Sequence, residues 1–243
     1  MVFGLFSKEK GLQKTIEKAT NKLAQQPDRW AALEKLRDDG SEDALFGLCK
    51  RWGVTSYKGV EDETEKSWVV DTLVEKGAVA LAPLMRYMKS ADQLAFPLKV
   101  LERIADHDKV VKVVDEVLAS EPPGYARFPD RRIDLIKWFC DWKGATDDEI
   151  LARVAPYVVD FDENVRFTAI EGLARVAPDK IVGPLVDALV RPEEESGRIR
   201  RTIIEVLERT QAPLGARSTE VANSMSGPIA DGFRVDGHIV KKR

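Results

Sequence analysis

The chain has 243 residues, of which 44% are hydrophobic and 33% charged, enough apolar side chains for a continuous core and too much dispersed charge for a bilayer-crossing run. A formal net charge of −3 argues against wholesale phosphate binding, which needs a clustered cationic surface. With two histidines and two cysteines, zinc sites built from those residues lack ligands. Cys49 and Cys140 each fall inside an apolar helical pattern, as reduced core thiols do.

The N-terminal segment, residues 1–27, reads as an amphipathic leader helix over about residues 8–24. Lys10, Lys14, Lys18 and Lys22 recur every four residues, with Leu12, Ile16, Ala19 and Leu23 roughly opposite and Phe3, Leu5 and Phe6 ahead of them. Two readings stand: the apolar stripe caps the next helices, or the basic helix lies on an anionic membrane surface. The run Val2 to Phe6 is too short for a signal peptide and no positive segment precedes it, so a cytoplasmic location is expected.

Residues 28–212 read as helix pairs, near 28–52, 62–89, 92–119, 129–159 and 161–190, with a last helix over 197–210. Two long connections interrupt them, residues 53–63 and 120–128, and long loops in such arrays are more often functional than structural. The Asp106-His107-Asp108 run reads as a helix-connecting turn. The carboxylate runs at Asp147-Asp148-Glu149 and at Asp160, Asp162 and Glu163 read as helix N-termini, where free N–H groups and the macrodipole favour negative charge. No phosphate-binding glycine loop, nucleophile elbow or metalloprotease motif occurs, so no catalytic, metal-binding or cofactor-binding residue is assigned and no enzyme activity is expected.

A repeat is visible towards the C-terminus. Val165, Arg166, Ala169 and Leu173 correspond to Ile199, Arg200, Ile203 and Leu207, each 34 residues later, with Asp162 and Ser196 placed as N-caps. Between them Ile181, Leu185, Ala188 and Leu189 mark a second helix. The motif from Asp160 to Leu173, followed by Gly183-Pro184-Leu185, resembles the HEAT-repeat signature, with the best match over about residues 160–190 and weaker copies upstream. The resemblance implies an all-α solenoid of about five antiparallel helix pairs plus a terminal helix. It also implies a capping role for Asp162, contacts from Arg166 to neighbouring repeats, and a protein or peptide partner gripped by the second helices. Aligned on their Pro-Leu steps, Met85 and Arg86 match Val186 and Asp187 and point away from the core. With Lys89, Lys112, Glu116, Arg153 and Arg191 they form the expected binding face of a scaffold or adaptor.

Three catalytic relatives of HEAT type are weighed. Iron-dependent deoxyhypusine hydroxylases need His-Glu pairs that are missing here. Bilin lyases have no positive feature in this chain. HEAT-like alkylpurine DNA glycosylases find a partial parallel in Asp134, Trp138 and Trp142 beside Arg131, Arg132 and Lys137, which makes glycosylase activity or nucleic-acid binding the enzyme alternative.

The last segment, residues 213–243, is Gly-rich and reads as an extended or disordered, non-helical tail. Asp236-Gly237 between two β-favouring runs signals a hairpin with Phe233, Val235, His238 and Val240 on one face. Phe233, Val235 and Ile239 are candidate partner contacts, through the strand-addition mode of recognition.

Overall fold

The computed structural model describes residues 2–225, 227 and 231–243, with side chains described from residue 9 onward. The helical content, 71% against 3% strand, makes the protein all-α. No helix among the described residues is long and apolar enough to cross a membrane. The chain forms two compact units, Met1–Val117 and Leu118–Arg243.

In the first unit α1 (Val2–Ala19) packs on α2 (Gln26–Asp39) and α3 (Glu42–Cys49). Ile16 and Ala19 are buried there, and Gly47 of α3 is the residue that admits Ile16: a Cβ on it would lie 2.6 Å from the isoleucine Cγ1. The apolar stripe of the leader therefore covers the next helices over this stretch, while Leu23 lies beyond the helix and is exposed. Phe3, Leu5 and Phe6 fall outside the described side chains. Gly40, in the left-handed region at φ 62°, ends α2 by turning its N–H back to Leu36. Ser41 then caps α3. Next come α4 (Gly59–Lys76), α5 (Leu81–Met88), α6 (Ala95–Ile104) and α7 (His107–Ser120), with α3 against α5, α2 against α4 and α4 against α6. His107 opens α7, where Asp106 accepts the Lys109 N–H as a helix-end residue would.

In the second unit α8 (Asp130–Asp141), α10 (Glu163–Leu173) and α12 (Gly197–Arg209) pack in sequence, alternating along the chain with α9 (Asp147–Val154) and α11 (Pro178–Val190). Each start is chemically marked. Thr146 and Glu149 form a reciprocal capping box on α9, Asp162 accepts from Asn164 and Val165, and Ser196 accepts from Ile199. Val165, Ala169, Leu173, Ile199, Ile203 and Leu207 are all fully buried. Cys49 and Cys140 are free and buried, and burial pushes the Cys140 thiol up to about 12.

The 34-residue spacing also governs buried charge. Arg132 pairs with Asp160 at 2.9 Å and Arg166 with Glu194 at 2.8 Å, each pair spanning 28 residues and the two pairs 34 apart in register. Both carboxylates also accept an N–H two residues on, Asp162 at 2.8 Å and Ser196 at 3.0 Å. Arg166 thus reaches the next helix pair, and Arg200 continues the series by donating to the Glu194 carbonyl at 2.8 Å. Asp160 is not the capping residue its position suggested. It is 2% exposed and serves as counter-ion and loop anchor, leaving the cap to Asp162.

The tail departs from expectation. It carries a short helix, α13 (Ser218–Ser224), then β1 (Phe233–Asp236) and β2 (Ile239–Lys242) in an antiparallel hairpin. The turn sits one residue later than predicted. Gly237, at φ 63°, and His238 are its central residues, so Val235 faces Val240 rather than His238. A glycine with positive φ at the first central position suits the type II′ geometry that matches strand twist. The hairpin packs on α12 and α13 packs on α11. Phe233 and Val240 are buried, and Arg201 lies over the Phe233 ring at 5.1 Å. The tail is thus folded onto the preceding helices because its apolar residues cover their open flank.

Leu173→Ala is expected to cost about 2–5 kcal/mol in chemical denaturation through cavity formation. Asp160→Ala should cost about 3–5 kcal/mol because Arg132 is left buried and unpaired, against roughly 1 kcal/mol for the cap substitution Asp162→Ala. Deleting residues 213–243 should lower the melting temperature, by uncovering apolar positions of α11 and α12.

Candidate functional site

The face expected to bind a partner is in large part engaged within the chain. Arg86 is exposed but bonds to Asp43 at 2.7 Å and lies over the Phe46 ring. Met85 is half-buried. Val186, matched to it by sequence, is fully buried on α11, and Asp187 is ion-paired to Arg217 of the tail at 2.8 Å. The cause in both cases is the tail helix lying against α11. Arg153 stacks over Phe139 and Arg191 bonds to Glu193. Lys89, Lys112 and Glu116 are exposed. Among the tail candidates Phe233 is buried and Val235 and Ile239 are half-buried.

The aromatic and basic cluster on α8 is also internally paired. Trp138 and Trp142 stack on each other at 5.8 Å, Arg131 bonds to Glu121 at 3.1 Å and Arg132 is buried against Asp160. Asp134 is half-buried and Lys137 is exposed. Among the described residues no group of three or more His, Cys, Asp or Glu side chains is placed to hold a metal ion.

Two surfaces instead emerge where the long connections lie. In the second unit, residues 121–129 lead into α8 and the turn at Asp160 leads into α10. Arg132 donates to the Gly124 carbonyl at 2.6 Å, and the Gly124 N–H donates to Asp160 at 3.2 Å. Tyr157 donates its hydroxyl to the Glu121 carbonyl, and Arg166 holds the Phe161 carbonyl at 3.0 Å. Beyond these anchors the rings turn outward. Tyr125 and Phe161 meet edge to face at 5.5 Å while remaining 76% and 69% exposed. Phe128, also exposed, lies under Arg127 at 5.2 Å. Rings exposed to this degree cost apolar hydration while the backbone beneath them is held by buried charges.

In the first unit the pattern recurs with different residues. Glu65, wholly buried, accepts from both Arg29 (2.9 Å) and Arg51 (2.7 Å), and Asp62 accepts from Arg51 (2.6 Å), Lys66 (2.7 Å) and the Ser56 N–H (2.9 Å). Arg29 also donates to the Ala24 carbonyl and Arg51 to that of Val54, so both connections flanking α2 and α4 are tied to one charge cluster. Above it opens a cleft of about 440 Å³ rimmed by Leu23, Tyr57 and Lys58. The Ser56 hydroxyl lines this cleft, is buried, and has no hydrogen-bond partner. Burial alone would raise the Asp62 carboxyl, but the bonds from Lys66, Arg51 and Ser56 prevail and hold it at about 2, below its ordinary 3.8.

Sequence reasoning marked both connections but named none of Tyr125, Phe128, Phe161, Ser56 or Tyr57. Phe161 sits inside the repeat motif, and the available signal was an aromatic between two aspartates that both bond backbone. No known protein family, curated protein or solved structure matches the chain.

The depressed Asp62 carboxyl contributes about 2 kcal/mol of stability. That contribution is present above pH 4 and lost as the pH falls through about 2. Urea midpoints should therefore drop between pH 5 and pH 2.5 more steeply in the wild type than in Asp62→Asn. Ser56→Ala, by deleting an unpaired buried hydroxyl, should leave stability unchanged or raise it by about 1 kcal/mol.

Proposed function

We propose that this chain is a non-catalytic adaptor built from HEAT-like helix pairs, which docks a protein or peptide partner on the aromatic edge formed by Tyr125, Phe128 and Phe161. Supporting the repeat reading are the alternate-helix contacts, α2 with α4 with α6 and α8 with α10 with α12, and the buried Arg–carboxylate pairs that recur at 34 residues. Each helix pair then buries its apolar face against its neighbours, as in a solenoid.

One observation carries the functional reading: large aromatic side chains stand exposed on a backbone pinned by buried ion pairs. Pinning the loop lowers the ordering cost of binding, and aromatic residues with arginine are the side chains most often found at the energetic centre of interfaces. Arg127 beside Phe128 supplies the second type. This reading moves the contact surface from the second helices and the tail, where the candidates are largely paired or covered, to the connections.

Affinity purification from the native cell, run in parallel on wild type and on Tyr125→Ala/Phe161→Ala, tests this. A hot-spot pair should lower affinity roughly 30-fold or more, so a protein retained by the wild type should be lost from the variant while the circular dichroism and melting temperature stay the same. Identical retained sets would refute the aromatic edge as the docking surface.

A further inference from the structure

We propose that the cleft of the first unit is a receptor site for an acidic, extended peptide, one carboxylate of which is bound by the Ser56 hydroxyl at the N-terminus of α4. This site is independent of the aromatic edge in the second unit. Four observations converge on it.

The first is the Ser56 hydroxyl itself. It is 92% buried, without a partner among the described residues, and faces a cleft rather than packed hydrocarbon. Its backbone N–H is committed to Asp62, so the residue is held in place by one group and leaves the other unused. A donor preserved in that state is matched by an acceptor that arrives from outside.

The second is the helix end. α4 begins at Gly59 with no side-chain cap, since Lys58 occupies the N-cap position. The first-turn N–H groups point towards the same cleft mouth, and such groups favour an anion.

The third is the charge around the opening. Lys22 and Lys58 line the cleft, and Lys14, Lys18 and Lys35 line an adjoining groove of about 540 Å³ between α1 and α2 that shares Ala24 with it. Asp28 and Glu61 are the carboxylates lining the two, and Glu61 is bonded to Lys58 at 3.0 Å. A row of cations leading away from a recessed donor suits several carboxylates spaced along a chain.

The fourth is the rim. Leu23 and Tyr57 are 72% and 80% exposed at the mouth, where they offer apolar contact to side chains flanking the buried carboxylate. A flat membrane surface meets the lysines but not a hydroxyl at the bottom of a cleft, and a free inorganic anion makes no use of the rim or the adjoining groove. A peptide uses all of these features.

The test is fluorescence anisotropy of fluorescein-labelled hexaglutamate with the full-length protein at low salt. The wild type should bind saturably. Ser56→Ala should weaken binding about tenfold with an unchanged or raised melting temperature, and Lys22→Gln and Lys58→Gln should each weaken it about threefold. Lys99→Gln on α6 should leave it unchanged. Three results would each overturn the proposal: no saturable binding; binding weakened by the lysine substitutions but indifferent to Ser56→Ala, the behaviour of a diffuse cationic surface; and displacement of the peptide by inorganic phosphate at equal carboxylate and phosphate concentration. Sedimentation with phosphatidylserine vesicles gives the remaining arm. Vesicle binding as sensitive to Ser56→Ala as peptide binding would make the site a lipid site and would also overturn it.

Discussion

Buried guanidinium groups, each closed by a carboxylate and a backbone carbonyl, are the interaction on which the rest of this structure depends. Arg51 is fully buried with Glu65 and Asp62, Arg29 shares Glu65, Arg132 holds Asp160 and Arg166 holds Glu194. Taking a charge out of water costs several kcal/mol, so a pair of this kind is a poor source of net stability. Its effect is on specificity. Once one partner is in place, any arrangement that lacks the other leaves a naked buried charge, and competing packings of otherwise generic apolar helices are penalised.

The same groups fix what lies at the surface. A planar guanidinium presents donors in a rigid fork, so one arginine can satisfy a carboxylate and a loop carbonyl together. Arg132 does this for Asp160 and Gly124, Arg51 for Asp62 and Val54, and Arg29 for Glu65 and Ala24. In each unit the loop held this way carries an exposed tyrosine, Tyr125 in one and Tyr57 in the other. Long connections normally gain freedom with length, and here that freedom is removed from beneath. Pre-organised aromatic display on a helical support follows from where the buried charges sit.

Much of the helical framework was legible in the sequence because it rests on local signals. Asp162, Ser196 and the Thr146–Glu149 box announce helix starts, and the stripe Val165, Ala169, Leu173 recurs at a fixed interval. The surfaces were less legible, for a physical reason. Whether Val186 or Phe233 faces solvent is decided by a segment tens of residues away that folds over it, and periodicity on one helix carries no information about that cover. The hairpin register slipped by one because Asp-Gly is compatible with more than one turn placement, and the glycine at the first central position was settled by strand twist. Asp160 looked like one more capping carboxylate. Only the packing of α8 against α10 brings Arg132 to it.

The claim that buried carboxylates pin the two connections is tested most directly by amide hydrogen exchange in the intact protein, read residue by residue. The Ser56 and Gly124 N–H groups each donate to a buried carboxylate, Asp62 in one case and Asp160 in the other. Both should exchange roughly a hundredfold or more slowly than unprotected peptide, in loops where rapid exchange is the rule. Exchange of both at the unprotected rate would show that the connections are not held from beneath, and would contradict the account.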